Sequence, residues 1–181
     1  VIKENNKCNR WARKSIKEIN DNEIIKNVII TFRLHYYLFG EQLEIYPKMP
    51  DKNTSEYRSE IWQSYLEIIN SFVNSGKNVY LVLQIPEVKS EIHQLFQLVD
   101  NENKYVESVS IDWWKKRINY YTERNEEIPD KIVIIDPADE FCGKDSCFAI
   151  KDGKSLYLDA GHLSGHGGQI IADMIYNSLI E

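Results

Sequence analysis

The stretch Gly76-Lys77-Asn78-Val79-Tyr80-Leu81-Val82-Leu83-Gln84-Ile85-Pro86-Glu87 sets five consecutive apolar residues, Val79 to Leu83, between a glycine and a proline. A short run with no polar alternation is the pattern of a strand buried on both faces, as strands of parallel sheets are. Upstream, Asp51 to Thr54 supply N-caps for a long helix ending near Gly76. On it Ile61, Tyr65, Ile68, Ile69, Phe72 and Val73 recur at helical spacing and form one apolar face. Gly76 suits the position just past a helix end.

The same alternation extends in both directions. Val28-Ile29-Ile30-Thr31-Phe32 and Ile132-Val133-Ile134-Ile135 are two further short apolar, β-branched runs. The spacing predicts helices over 9–20, about 90–99 and 108–125, and a closing helix from about Gly167 to Leu179 carrying Ile170, Ile171, Met174 and Ile175. His35-Tyr36-Tyr37-Leu38-Phe39-Gly40 reads as an aromatic-rich loop, and Leu156-Tyr157-Leu158 as a small extended piece leading into Asp159. Strand and helix in alternation imply an α/β fold with a parallel sheet covered on both faces. Sites in such folds form beyond the carboxyl ends of the strands, which directs attention to loops 33–40, 84–90, 136–147 and 159–167.

A chain of 181 residues fits one domain and can bury a core without metal or disulfide staples. Its net charge of −6 argues against general nucleic-acid binding, which needs clustered Lys and Arg. Lys115-Lys116-Arg117 and the stretch from Arg10 to Lys17 read as solvated helix faces. No run of apolar residues is long enough to span a membrane. The first residue is Val1 and no signal-peptide pattern follows it, so a mature or excised fragment is expected. Cys142 and Cys147 enclose four residues; a disulfide in an oxidising compartment and two free thiols in a reducing one both fit. Cys8 has no evident partner, which points to one in an upstream segment.

Asp159-Ala160-Gly161-His162-Leu163-Ser164 carries the chemistry. Its Asp and His lie three apart in a turn before a helix, so the carboxylate can hold the imidazole Nδ1–H and leave Nε2 free to take a proton from a hydroxyl. The bland alternative is an Asp closing a turn beside an incidental His. His162 and His166 are four apart, but no Glu lies between them and glycines surround them, so neither a metal site nor a cofactor is expected. His35 and His93 read as ordinary surface or loop histidines. In Trp113-Trp114 adjacent helical residues point about 100° apart, so one of the two is expected to face solvent. Tyr36, Tyr37 and Phe39 suit either packing or stacking on sugar rings.

From Cys8 onward the chain resembles the SGNH domain at the C-terminal end of membrane-bound acyltransferases that O-acylate cell-surface polysaccharides. Four blocks carry the likeness: Asn27 to Arg33, Gly76 to Glu87, Ile135-Asp136-Pro137 with Phe141-Cys142 and Cys147, and Gly153 to Ser164. The resemblance implies a three-layer α/β/α sandwich with a mainly parallel sheet, spanning residues 1–181 as one domain that lacks its N-terminal portion. It implies His162 as general base, Asp159 as its orienting partner, a Cys142–Cys147 bridge and an extracytoplasmic setting. A membrane-embedded acyl-donor domain and a polysaccharide acceptor would be the partners, with no nucleic acid.

Two departures stand out. The family's nucleophilic serine sits in a Gly-Asp-Ser motif, and this chain has none; the serine is expected upstream of Val1. Ser71, Ser155 and Ser164 lie on no strand-to-helix elbow that would expose an activated hydroxyl. Where SGNH enzymes place oxyanion donors, this chain has Arg33 and Gln84. Both carry N–H donors suited to an oxyanion or a substrate, and Arg33 is equally suited to pairing with a carboxylate. The expected function is O-acyl (acetyl) transfer through an acyl-serine, with a carbohydrate esterase or a non-catalytic glycan-binding module as alternatives.

Overall fold

The structure, a computed structural model, describes residues 7–43, 45–98 and 104–180. In chain order its elements are α1 (Lys7–Asp21), β1 (Asn27–Thr31), α2 (Leu34–Phe39), α3 (Ser55–Asn74), β2 (Asn78–Val82), α4 (Ile92–Phe96), β3 (Val106–Ser110), α5 (Ile111–Thr122), β4 (Val133–Ile135), α6 (Ala138–Phe141), β5 (Ser146–Lys151), β6 (Lys154–Ser155) and α7 (Gly165–Ile180). The first sheet is parallel in the order β1-β2-β4, with Val28 opposite Val79 and Val82 opposite Ile135.

Alternate residues of β2 serve two cores, because side chains alternate across a sheet. Val79 and Leu81 meet Ile61, Ile69 and Phe72 of α3, with Ile16 and Ile19 of α1 packed alongside. Tyr80 and Val82 meet Ile171 on the other face, with Ile170, Met174 and Ile175 of α7 packed against them. This is the α/β/α layering expected of the wholly apolar strands. Thr54 caps α3 as expected, its Oγ1 accepting from Tyr57 N at 3.3 Å.

The second sheet, antiparallel in the order β3-β5-β6, was not legible from the apolar pattern. Its strand Ser146-Cys147-Phe148-Ala149-Ile150-Lys151 mixes polar and apolar residues and turns into β6 through Asp152-Gly153, both with positive φ (53° and 72°). Asp-Gly at that turn was the available signal. The predicted helix over 108–125 begins instead at Ile111, because β5 recruits 106–110 as a strand and Ser110 caps α5, accepting from Trp113 N at 3.3 Å. The aromatic segment after β1 is helical rather than a loop, and the piece at 156–158 contributes an isolated bridge, Tyr157 to Leu163, rather than a strand. Of the pattern at 90–99, α4 covers Ile92–Phe96, and residue 99 lies outside the described residues.

Three further readings change. Trp113 and Trp114 are both buried: α5 is enclosed on two sides, Trp113 stacking edge-on against Tyr46 and Trp114 against His35. His35 is buried under the same helix rather than exposed. Arg117 is 2% exposed, while Lys115 and Lys116 face solvent. It sits three and four residues after the two tryptophans and therefore on their side of the helix.

Arg117 is buried with a purpose that the geometry makes plain. Its Nε donates to Glu87 Oε2 at 2.7 Å, and its Nη2 donates to Glu87 Oε1 at 2.9 Å and to the Gly40 carbonyl at 2.7 Å. Burial pushes the Glu87 carboxyl up and the guanidinium opposes that shift. Replacing Arg117 by Met would leave a buried carboxylate unpaired, at a cost of roughly 3–5 kcal/mol. Glu87 would then bind a proton more readily folded than unfolded, so stability falls as pH rises above the unfolded value and is regained on acidification. Denaturant melts of Arg117→Met should show a deficit that shrinks toward pH 4, and adding Glu87→Gln should recover part of it at pH 7.

Candidate active site

The Asp159–His162 turn is built by backbone bonds at both of its ends. Leu158 N donates to His162 O at 2.9 Å, and Ser164 N donates to Leu156 O at 3.0 Å. Ser164 Oγ donates to the Ser155 carbonyl and accepts from Gly167 N at 3.1 Å, which caps α7. A Cβ on Gly167 would lie 2.1 Å from the Leu156 carbonyl oxygen, so the first turn of α7 lies against the start of the loop with no room between.

Within that frame Asp159 Oδ1 accepts from Gly161 N at 2.7 Å and His162 N at 2.9 Å. His162 Nδ1 stands 2.9 Å from both carboxylate oxygens. A carboxylate accepts, so Nδ1 carries the proton in this contact and the Nε2 lone pair is the free one. Gly161 N–H, and after it the imidazole, hold the Asp159 carboxyl below its ordinary value of 3.8. The side chains are 51% and 76% exposed, so Nε2 can be reached by a hydroxyl from outside.

Arg33 follows β1 and approaches the same turn. A Cβ on Gly161 would stand 2.9 Å from Arg33 Nη1, and the guanidinium also lies 4.7 Å from the Tyr36 ring centroid and 3.9 Å from Glu41 Oε2. Gln84, after β2, is buried, with Oε1 accepting from His35 N at 2.8 Å and Nε2 donating to Glu87 Oε1 at 3.0 Å. Arg33, Gln84, Glu87, Tyr157 and Gly161 line one shallow open pocket, which the Asp159 and His162 side chains do not line. The structure thus brings Asp159 against His162, and Arg33 and Gln84 to one pocket, with the Gly161 backbone between the two pairs. Cys142 and Cys147 form a disulfide packed beside Trp113 and Trp114. Cys8 is a free, exposed thiol.

The three serines weighed as nucleophiles are engaged elsewhere. Ser164 is the α7 cap, Ser155 Oγ donates to the Tyr157 carbonyl at 2.6 Å, and Ser71 Oγ accepts from Asn20 at 3.1 Å. His166 and His93 take no part in the turn; among the described residues no three His, Cys, Asp or Glu side chains are grouped to hold a metal ion. The Glu87–Arg117 ion pair, of which Glu87 lines the same pocket as Arg33, was not anticipated from the sequence. The helical spacing of Arg117 from the tryptophans was the usable signal.

Because its folded-state pKa is depressed, Asp159 favours the folded turn above the ordinary carboxylate value and loses that effect as pH falls through the lowered one. Carbon NMR titration should place Asp159 below 3.8. In His162→Ala the midpoint should rise yet stay below 3.8, since the Gly161 N–H bond remains. Gly167→Ala should destabilise the chain by roughly 1–3 kcal/mol in denaturant melts, as overpacking does. Gly161→Ala should chiefly displace the Arg33 side chain.

No curated protein gave a significant match to the chain. Among solved structures, it is similar to the periplasmic domain of a lipopolysaccharide acetyltransferase from Salmonella ser. Paratyphi A, with a TM-score of 0.62 at 13% identity. The match covers 95% of this chain and 63% of that one, so the chain spans less than two thirds of the Salmonella domain. No helix among the described residues is long and apolar enough to cross a membrane. The family described as "SGNH domain (fused to AT3 domains)" matches residues 1–177, and the chain accordingly belongs to the SGNH-domain family.

Proposed function

We propose that this chain is the larger part of one SGNH domain that transfers an acyl group, acetyl in the first instance, to a hydroxyl of a cell-surface polysaccharide. The observation that carries the reading is the His162 ring seated 2.9 Å from both Asp159 oxygens with its Nε2 open to an incoming alcohol. In the proposed cycle a serine outside residues 1–181 gives its proton to His162 Nε2 as its Oγ attacks the donor's acyl carbon. The tetrahedral oxyanion collapses, and the donor's leaving group departs with the proton. A sugar hydroxyl then yields its proton to His162, attacks the acyl-serine and releases the serine reprotonated. Asp159 keeps the imidazole in the required tautomer and stabilises the imidazolium. Arg33 supplies N–H donors beside Gly161, where an oxyanion or an anionic acceptor can be met; in this reading Gln84 contributes through the same pocket.

The sheet supports the missing partner. Among the described residues no strand pairs with the outer side of β1, and Ile29 is exposed although its register with Tyr80 places it on the α7 face. A serine-bearing strand added there would enter the sheet at the end where Arg33 and the dyad lie. The family's fusion to AT3 domains suits a membrane-embedded acyl donor and an extracytoplasmic setting for this domain.

Exposure of the dyad also suits hydrolysis by water, the carbohydrate-esterase reading, and the absence of a Gly-Asp-Ser motif suits a glycan-binding module without catalysis. The intact protein separates them. Labelling by a serine-directed phosphonate, and acetyl-ester turnover that falls about 10³-fold in His162→Ala, are the expected results. Acetate release unaffected by a sugar acceptor would establish the esterase instead. No labelling and no turnover would leave the binding module.

A further inference from the structure

The two halves of the site are carried by different parts of the chain. Arg33, Gln84 and Glu87 follow strands of the parallel sheet, whereas Asp159 and His162 sit in the turn that leads into α7. The contact within the dyad does not set the distance between those halves. The partners of the Asp159 carboxylate are Gly161 and His162, so the pair stays together wherever the turn lies. The bonds that shape the turn likewise run back into its own neighbourhood, to Ser155, Leu156 and α7.

Among the described residues a single hydrogen bond crosses from residues 155–167 to Arg33 or the segment 84–87. It runs from the Tyr157 hydroxyl to the Pro86 carbonyl at 2.5 Å, over 71 residues of sequence. Tyr157 is 2% exposed and lines the same pocket as Arg33, Glu87 and Gly161. Its ring meets Phe141 edge-on with centroids 6.0 Å apart, so the ring keeps its packing without the hydroxyl. The other contact across the gap is apolar, with Ile85, Ala160 and Leu163 packed against the cluster that holds Tyr157. Apolar packing is non-directional and tolerates a slide. A hydrogen bond weakens steeply once its length or angle changes. Only Leu158 stands between Tyr157 and Asp159, so a shift at the tyrosine passes directly to the dyad.

We propose that Tyr157 is a positioning residue for the transfer reaction: its hydroxyl, held on Pro86, sets where His162 Nε2 stands relative to Arg33 and to the alcohol it deprotonates. The assignment rests on the transfer reading given above. Loss of the hydroxyl leaves the Asp159–His162 contact whole and moves it out of line. A general base displaced from its alcohol slows the chemical step and leaves substrate binding alone.

The test uses the intact protein with an acetyl ester and a sugar acceptor. In Tyr157→Phe, kcat should fall about 10-fold with KM within about 2-fold of the unaltered value. Carbon NMR should still place Asp159 below 3.8 in that variant, since the dyad itself is intact. The residue 4-aminophenylalanine at position 157, whose N–H donates to the same carbonyl, should restore most of the loss. In a His162→Ala background, Tyr157→Phe should cost less than about 2-fold, because no base remains to be misplaced. An unchanged kcat, or an equal loss with and without His162, overturns the proposal and leaves Tyr157 a packing residue. The nuclear Overhauser contact between the Arg33 side chain and the Gly161 backbone gives a readout independent of turnover. It should weaken in Tyr157→Phe, and its persistence at full strength overturns the proposal. If the unaltered protein turns over no ester, the transfer reading fails, while that contact still decides whether Tyr157 sets the register of the turn.

Discussion

The buried ion pair between Glu87 and Arg117 is the interaction on which the site depends. Two charges removed from water are tolerated only when their remaining donors and acceptors are met, and here most are. Glu87 Oε1 takes Gln84 Nε2 as well as the guanidinium, and Gln84 Oε1 holds the first-turn N–H of α2 at His35. Arg117 closes the other end of α2 through the Gly40 carbonyl. A six-residue helix has little stability of its own. Clamped at both ends, it fixes the chain just after Arg33 and so determines where that guanidinium can reach.

The dyad is positioned by a different device. Asp159 and His162 are local in sequence, and their contact is completed inside a turn by the Gly161 and His162 N–H groups. The orientation of that turn, however, comes from outside it. Gly167 lets α7 lie against the Leu156 carbonyl, and Tyr157 donates its hydroxyl to the Pro86 carbonyl at 2.5 Å. That last bond ties the loop to the Pro-Glu turn and hence to Glu87. The dyad and Arg33 therefore share one support, although no side chain of the dyad touches it.

Electrostatically the two halves of the site differ. Asp159 is exposed and held below its ordinary range by donors, so it remains a carboxylate at any pH where the protein is expected to work. Glu87 is the opposite case: burial pushes its carboxyl up, and the Arg117 guanidinium opposes that shift.

Residues 76–87 determined by themselves that a strand buried on both faces follows a long amphipathic helix, and two more such runs made the sheet parallel. The Asp159–His162 contact was also open to sequence reasoning, since three residues and a turn suffice to close it. Tertiary structure alone decided the antiparallel β3-β5-β6 sheet, whose mixed strand Ser146–Lys151 becomes buried only through its partners. It decided, too, that both tryptophans of α5 are enclosed and that Arg117 belongs inside with Glu87, thirty residues away. Apolar periodicity reports which face of an element turns inward when one face does. It carries no information about a helix covered on two sides, nor about a charge whose desolvation is offset by a partner that the chain brings near only on folding.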